Sequence, residues 1–158
     1  MEGDIEMIKY IIDGNNLIGK IKSIQNLQKT EKQTAREKLA FLIEDYFRNK
    51  NFKVSLHFDG YPNLPINISF TKIIYSRVKT ADEKIKDEIS ASKNPKNLVV
   101  ITSDNNLKEF ARVCSCTIIS SEEFSAELTR RSEKNDEEER IKSMNDVEEF
   151  KRLFKVKK

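Results

Sequence analysis

Residues 8–16 read IKYIIDGNN: a β-branched, apolar run that stops on Asp13 and is followed at once by Gly14, Asn15 and Asn16. The run has the composition of a strand buried on both faces, and the residues after it are turn formers. An aspartate so placed is either punctuation or a carboxylate at the carboxyl end of a parallel strand, the edge where open α/β sheets keep their chemistry. The rest of the chain decides between the two.

Three further segments share that character: FKVSLHF at 52–58, NLVVIT at 97–102 and TII at 117–119, with a weaker one, KIIYS, at 72–76. Between them, apolar residues recur at helical spacing: Ala35, Leu39, Leu42, Ile43 and Tyr46; Ile85 and Ile89; Leu107, Phe110 and Ala111; Phe124 and Leu128. Parallel strands need crossover connections of about a dozen residues or more, so this alternation predicts a three-layer α/β/α fold with a mainly parallel central sheet. Gly60, Pro62 and Pro65 mark a loop after the second strand. The 158 residues suit one domain, which at this length buries roughly two-thirds of the unfolded surface.

The organisation expected is a domain over 1–130 and a charged linker with a C-terminal helix over 131–158, docked on the same domain. EKNDEEE at 133–139 carries five acids, one lysine and no apolar residue, as a solvated linker or helix surface does. Beyond it, Val147, Phe150, Leu153 and Phe154 follow a cap formed by Asn145 and Glu148, and the chain ends in the basic KVKK.

Charge names no partner by itself: Lys and Arg number 29 against 26 Asp and Glu, a net of +3. No apolar run approaches the roughly 18 residues of a membrane span, and MEGDIEM is acidic where a signal peptide is basic, so a soluble cytoplasmic protein is expected. Cys114 and Cys116 have neither the C-x-x-C spacing nor an easy disulfide geometry and read as small buried residues. There is no G-x-G-x-x-G, P-loop or G-x-S-x-G motif, which excludes the corresponding nucleotide and hydrolase sites.

The strand ends repeat the first observation. HFDG places Asp59, VVITSDNN places Asp104, and KTADEKI places Asp82 and Glu83 at the start of a helix. Each acid has a structural role open to it: Asp104 as a helix cap, Thr80 with Glu83 as a capping box, Asp82 as a partner for the helix dipole. Together, however, a parallel sheet brings Asp13, Asp59, Asp82 and Asp104 to one edge, where their repulsion calls for a hard cation such as Mg²⁺ or Mn²⁺. Asn15 and Asn16 offer amide oxygens, and Thr102 and Ser103 put hydroxyls beside Asp104. Such a site activates water for phosphodiester hydrolysis without a covalent protein intermediate.

YIIDGNN, LHFDG, TADEKI and VVITSDNN, followed by IISSEEF, resemble in content and order the NYN domains of the PIN-like nuclease superfamily, most closely the YacP-like group, over residues 7–128. The resemblance implies a metal-dependent endoribonuclease acting on RNA, by analogy messenger RNA in a translation setting. It implies acidic metal-site roles for Asp13, Asp59, Asp82 and Asp104, and a site role for Asn16. Asp13 and Asp104 are the expected direct metal ligands; Asp82 acts directly or through water, and Asp59 from the outer shell or as a second ligand. The chain departs from the family in VCSC, where a Gly-containing turn is usual, and in the small SDNN; neither touches the acids.

Phosphate contacts supply much of the affinity for single-stranded RNA, so cations are expected away from the acidic edge. Lys20, Lys22 and Arg36 in one region, and Arg77 and Lys79 just before Asp82, are the candidates, against the plainer reading of solvated lysines on a helix face. Tyr61 and Tyr75 are candidate stacking residues, or a loop cover and a sheet residue respectively. His57, in mid-strand, is read as structural. The competing functions are a non-catalytic RNA- or ribosome-binding module and a phosphoacceptor signalling domain; the second wants a lysine after the last strand, where TIISSEEF has none.

Overall fold

The computed structural model describes the backbone of residues 7–156 and the side chains of residues 7–145. All five segments form strands: β1 (Lys9–Asp13), β2 (Lys53–Phe58), β3 (Lys72–Tyr75), β4 (Leu98–Ile101) and β5 (Thr117–Ile119). They make one sheet in the order β3-β2-β1-β4-β5, parallel throughout. The chain starts at the centre, builds outward to β3, then crosses back to lay β4 and β5 on the other flank. β1 and β4 therefore border the crevice at which the order reverses, the usual ligand position in such sheets.

Strand alternation sends successive side chains to opposite faces, and each face meets its own helices. Ile12, Leu56, Phe58 and Ile101 pack with Leu17 and Ile18 of α1 (Gly14–Ile18), with Leu39, Ile43 and Phe47 of α3 (Lys32–Phe47), and with Phe124 and Leu128 of α6 (Ser121–Val156). A short α2 (Leu27–Thr30) precedes α3. Ile11, Leu98 and Val100 face the other way, onto Ile85 and Ile89 of α4 (Ala81–Ala91) and Leu107 and Ala111 of α5 (Asn105–Val113). Each fully buried side chain of this kind contributes about 1.5–3 kcal/mol. The three-layer α/β/α architecture follows. Cys114 and Cys116 are free and half-buried, against the second core.

The C-terminal segment corrects an expectation. α6 runs unbroken for 36 residues, so EKNDEEE is helix surface and not a linker, and Asn145 sits inside the helix instead of capping a new one. Glu, Lys and Arg are good helix formers, and no Gly or Pro interrupts the run. Among the described side chains, Leu128 is the last residue of α6 in the core, Asn135 donates to Asp45 Oδ2 at 2.9 Å, and residues 136–145 are exposed. The docking expected of Val147, Phe150, Leu153 and Phe154 falls on side chains outside the described residues.

The loop after β2 is held from α3. Glu44, buried, accepts from the backbone N–H groups of Ser69, Phe70 and Thr71 and from Thr71 Oγ1. Arg36, also buried, donates to the carbonyls of Asp59 (2.6 Å) and Tyr61 (2.9 Å).

The glycine after Asp13 has a steric cause. A Cβ on Gly14 would lie 2.5 Å from the His57 carbonyl oxygen and 2.8 Å from the Phe58 ring, so β1 can turn into α1 against β2 only without a side chain. Gly14→Ala should destabilise the fold by about 1–3 kcal/mol, the range for overpacking a filled site. Urea unfolding of the two proteins measures it, the midpoint falling with an unchanged slope.

Candidate active site

Asp13, Asp59, Asp82 and Asp104 line one cavity of about 400 Å³ at the carboxyl edge, together with Asn15, Asn16, Thr80 and Ala81. Asp13 is the last residue of β1 and only 8% exposed. Its Oδ2 accepts from Thr102 Oγ1 at 2.8 Å, and the same hydroxyl oxygen accepts from the backbone N–H of Asp104 at 3.1 Å. Thr102, fully buried, thus couples the two central acids across the β1–β4 crevice. Asp104 caps α5, its Oδ1 accepting from Leu107 N at 2.8 Å.

Asp59 Oδ1 accepts from Ala81 N at 2.7 Å, which ties the end of β2 to the first turn of α4. Asp82 lies in that turn, its Oδ2 paired with Lys86 at 3.1 Å and its Oδ1 buried without a partner among the described residues. Thr80 and Glu83 form the capping box that the sequence suggests, and it accounts for Glu83. Each of the four aspartates therefore commits one oxygen to the scaffold and leaves the other unbonded among the described residues.

The asparagines act differently from the expectation. Asn16 Oδ1 accepts from Ser103 N (3.0 Å) and Ser121 Oγ (2.6 Å), and Asn15 Oδ1 accepts from Asp59 N (2.8 Å). Their amide oxygens join α1 to the loop after β4, the start of α6 and the end of β2, and so tie together the segments that carry the acids. Glu122, a member of the IISSEEF segment without an assigned role, takes a short hydrogen bond from Ser103 Oγ and pairs with Lys20 at 3.4 Å.

Of the candidate RNA contacts, Arg36 is corrected. Its guanidinium is buried, donates to two loop carbonyls and lies over the rings of Phe58 and Tyr75, at 5.5 and 5.1 Å from their centroids. Helical spacing hid this, because Arg36 shares the buried face of α3 with Ala40, Ile43 and Phe47. Lys22, Arg77 and Lys79 are exposed, Lys79 pairing with Asp87 at 3.0 Å. Arg77 has a left-handed backbone, φ 60°, and its guanidinium stands 5.9 Å from the ring centroid of Tyr61. Tyr61 is exposed, and Tyr75 is half-buried in the sheet. His57 is buried and bound to Glu88.

Burial pushes the Asp13 carboxyl up, the hydrogen bond from Thr102 pulls it down, and the charges of Asp59, Asp104 and Asp82 raise it again, to about 6. The donor set is all hard oxygen, which suits Mg²⁺ or Mn²⁺, and the orphaned Asp82 Oδ1 is the kind of atom a cation would satisfy. Among the described residues no three acidic, histidine or cysteine side chains close around one point as a metal cage would. Mg²⁺ does not require such a cage, since it keeps several waters and is held by one or two carboxylates plus substrate phosphates.

An all-parallel α/β sheet with an acidic cavity at its switch point defines the class. The sequence model of the YacP-like NYN domain, a nuclease-type family, matches residues 10–156, and the chain belongs to that family. Among solved structures it is similar to Rae1 (YacP) from Bacillus subtilis, with a TM-score of 0.62 and 22% identity over 94% of this chain and 93% of that one. The W164L mutant of the same protein gives a TM-score of 0.65 and 22% identity over 81% and 80%. No curated protein matches the sequence. No helix among the described residues is long and apolar enough to cross a membrane.

Asp13 also predicts a pH effect. Its pKa is raised from 3.8 to about 6 on folding, so the folded state binds the proton more tightly, and this group's contribution to stability falls as pH rises through that window. In EDTA, Asp13→Asn should be more stable than the parent above that window by about 1–3 kcal/mol, with the gap closing in acid. Urea titrations at several pH values measure it; a less stable variant at neutral pH would contradict the repulsive cluster.

Proposed function

We propose that the chain is a metal-dependent endoribonuclease that hydrolyses phosphodiester bonds of single-stranded RNA at the aspartate cavity. The observation that carries this reading is the unbonded oxygen left on each of Asp13, Asp59, Asp82 and Asp104 around one open cavity, in a chain of a nuclease-type family.

Asp13 and Asp104 would hold Mg²⁺ or Mn²⁺ directly, Asp82 would bind it directly or through water, and Asp59 would act from the outer shell or as a second ligand. The ion, when bound, activates a water and neutralises charge on the leaving oxygen. Thr102 holds Asp13 and Asp104 in register, Asn15 and Asn16 fix the loops that carry the acids, and Asp59 fixes the start of α4. The reaction adds water across a P–O ester bond, the water oxygen bonding to phosphorus and the leaving oxygen taking a proton. Lys20, Lys22, Arg77 and Lys79 are the proposed RNA contacts, and messenger RNA on the ribosome in the cytoplasm is the setting that the family resemblance favours.

A non-catalytic RNA-binding module is the second reading. It is favoured by the Asp82–Lys86 pair, which already neutralises one acid. Purified protein with a mixed RNA pool in Mn²⁺, Mg²⁺ or EDTA separates the two. Metal-dependent cleavage is expected, reduced at least about 100-fold by Asp13→Asn or Asp104→Asn. Equal activity in either variant overturns the mechanism, and binding without cleavage in any metal leaves the module.

A further inference from the structure

A second groove lies beside the acidic cavity. α4 packs on β1 and β2, and between α4 and the edge strand β3 lies a groove of about 550 Å³. Lys72 and Ile74 of β3 form one wall, Lys84, Asp87 and Glu88 of α4 the other, and His57 is among the lining residues. Arg77 also lines it, a few residues before Thr80 and Asp82 of the acidic cavity, so the two spaces share the segment that opens α4.

The charges in this groove are sorted. Glu88 is bound by His57 Nε2 at 2.7 Å, by Ser55 Oγ at 2.8 Å and by Lys9. Burial alone would raise its carboxyl, but these partners hold it down at about 2, so it is a charge already matched from inside the fold. Asp87 is matched by Lys79. Lys72, Arg77 and Lys84 make no ion pair among the described residues, so the groove is net positive. His57 Nδ1 is buried with no partner, a polar atom where a purely apolar groove would have none.

Resting on the nuclease reading, we infer that this groove holds the backbone of one flank of the RNA strand whose scissile phosphate lies in the acidic cavity, with Lys72, Arg77 and Lys84 as its phosphate contacts. The acidic edge repels phosphates on either side of the one being cut, so the strand needs anchoring where cations are free, and these three are free and adjacent. β3 is roughly 13 Å long at 3.3 Å per residue, enough for about two nucleotides.

The test is binding of a labelled single-stranded RNA to the full chain in EDTA across a salt series, with cleavage kinetics in Mn²⁺ alongside. The variants are Lys72→Gln with Lys84→Gln, and a control, Lys93→Gln with Lys96→Gln, near the amino end of β4. On single strands each phosphate contact contributes a slope of about −0.7 in log K against log salt. The groove variant should bind about tenfold or more weakly, lose about 1.4 of that slope, and show a raised KM with kcat unchanged, while the control behaves as the parent. Unchanged affinity, slope and KM in the groove variant, in a protein that cleaves RNA, overturns the groove and spares the nuclease. A parent chain that neither binds nor cuts RNA overturns both.

Discussion

The hydroxyl of Thr102 is the contact on which the site depends. It donates to Asp13 at the end of β1 and accepts from the backbone of Asp104 after β4, across the crevice where the sheet reverses its order. Two carboxylates on neighbouring strands repel, and in a partly dry setting that repulsion costs several kcal/mol unless something else fixes them. The buried Thr102 holds the Asp13 carboxylate and the Asp104 backbone, while Leu107 N–H holds the Asp104 carboxylate. One oxygen of each acid is left without a hydrogen bond among the described residues.

The same logic extends outward along the edge. Asn15 and Asn16 spend their amide oxygens on the backbone of Asp59 and Ser103 and on the hydroxyl of Ser121, and Asp59 spends one of its own on α4. Arg36 and Glu44 do the equivalent from below, each buried on α3 and each bonded to the loop that follows β2. Buried charge of this kind is retained only where hydrogen bonds satisfy it, and losing a partner leaves a costly orphan. The polar interior is thus a frame for one edge, and little of it can be altered without moving an acid.

The five strands, the three-layer architecture and the four converging aspartates were legible because each rests on local pattern: apolar runs, helical spacing, an acid at a strand end. The asparagines' work was not, because their partners lie up to 105 residues away in sequence. Arg36 was misread for the opposite reason: a charged residue on an apolar face looks like solvent surface until the loop it binds is placed over it. The linker at 133–139 was misread because a stretch rich in Glu and without apolar residues is equally good as exposed helix, and only the absence of a breaker tells the two apart.

Lys86 is a cation that the protein itself supplies to the acidic edge. It pairs with Asp82 at i,i+4 on α4, with the lysine 27% and the aspartate 34% exposed, an arrangement worth about 0.3–0.5 kcal/mol. That is small beside the several kcal/mol of repulsion among clustered carboxylates, so the pair offsets only a fraction of it. Lys86 also stands 5.5 Å from the ring centroid of Phe110, so its ammonium is shared between a carboxylate and a ring. On the proposed reading a divalent ion would displace this weak pair, because two charges held by several carboxylates outweigh one partly exposed lysine.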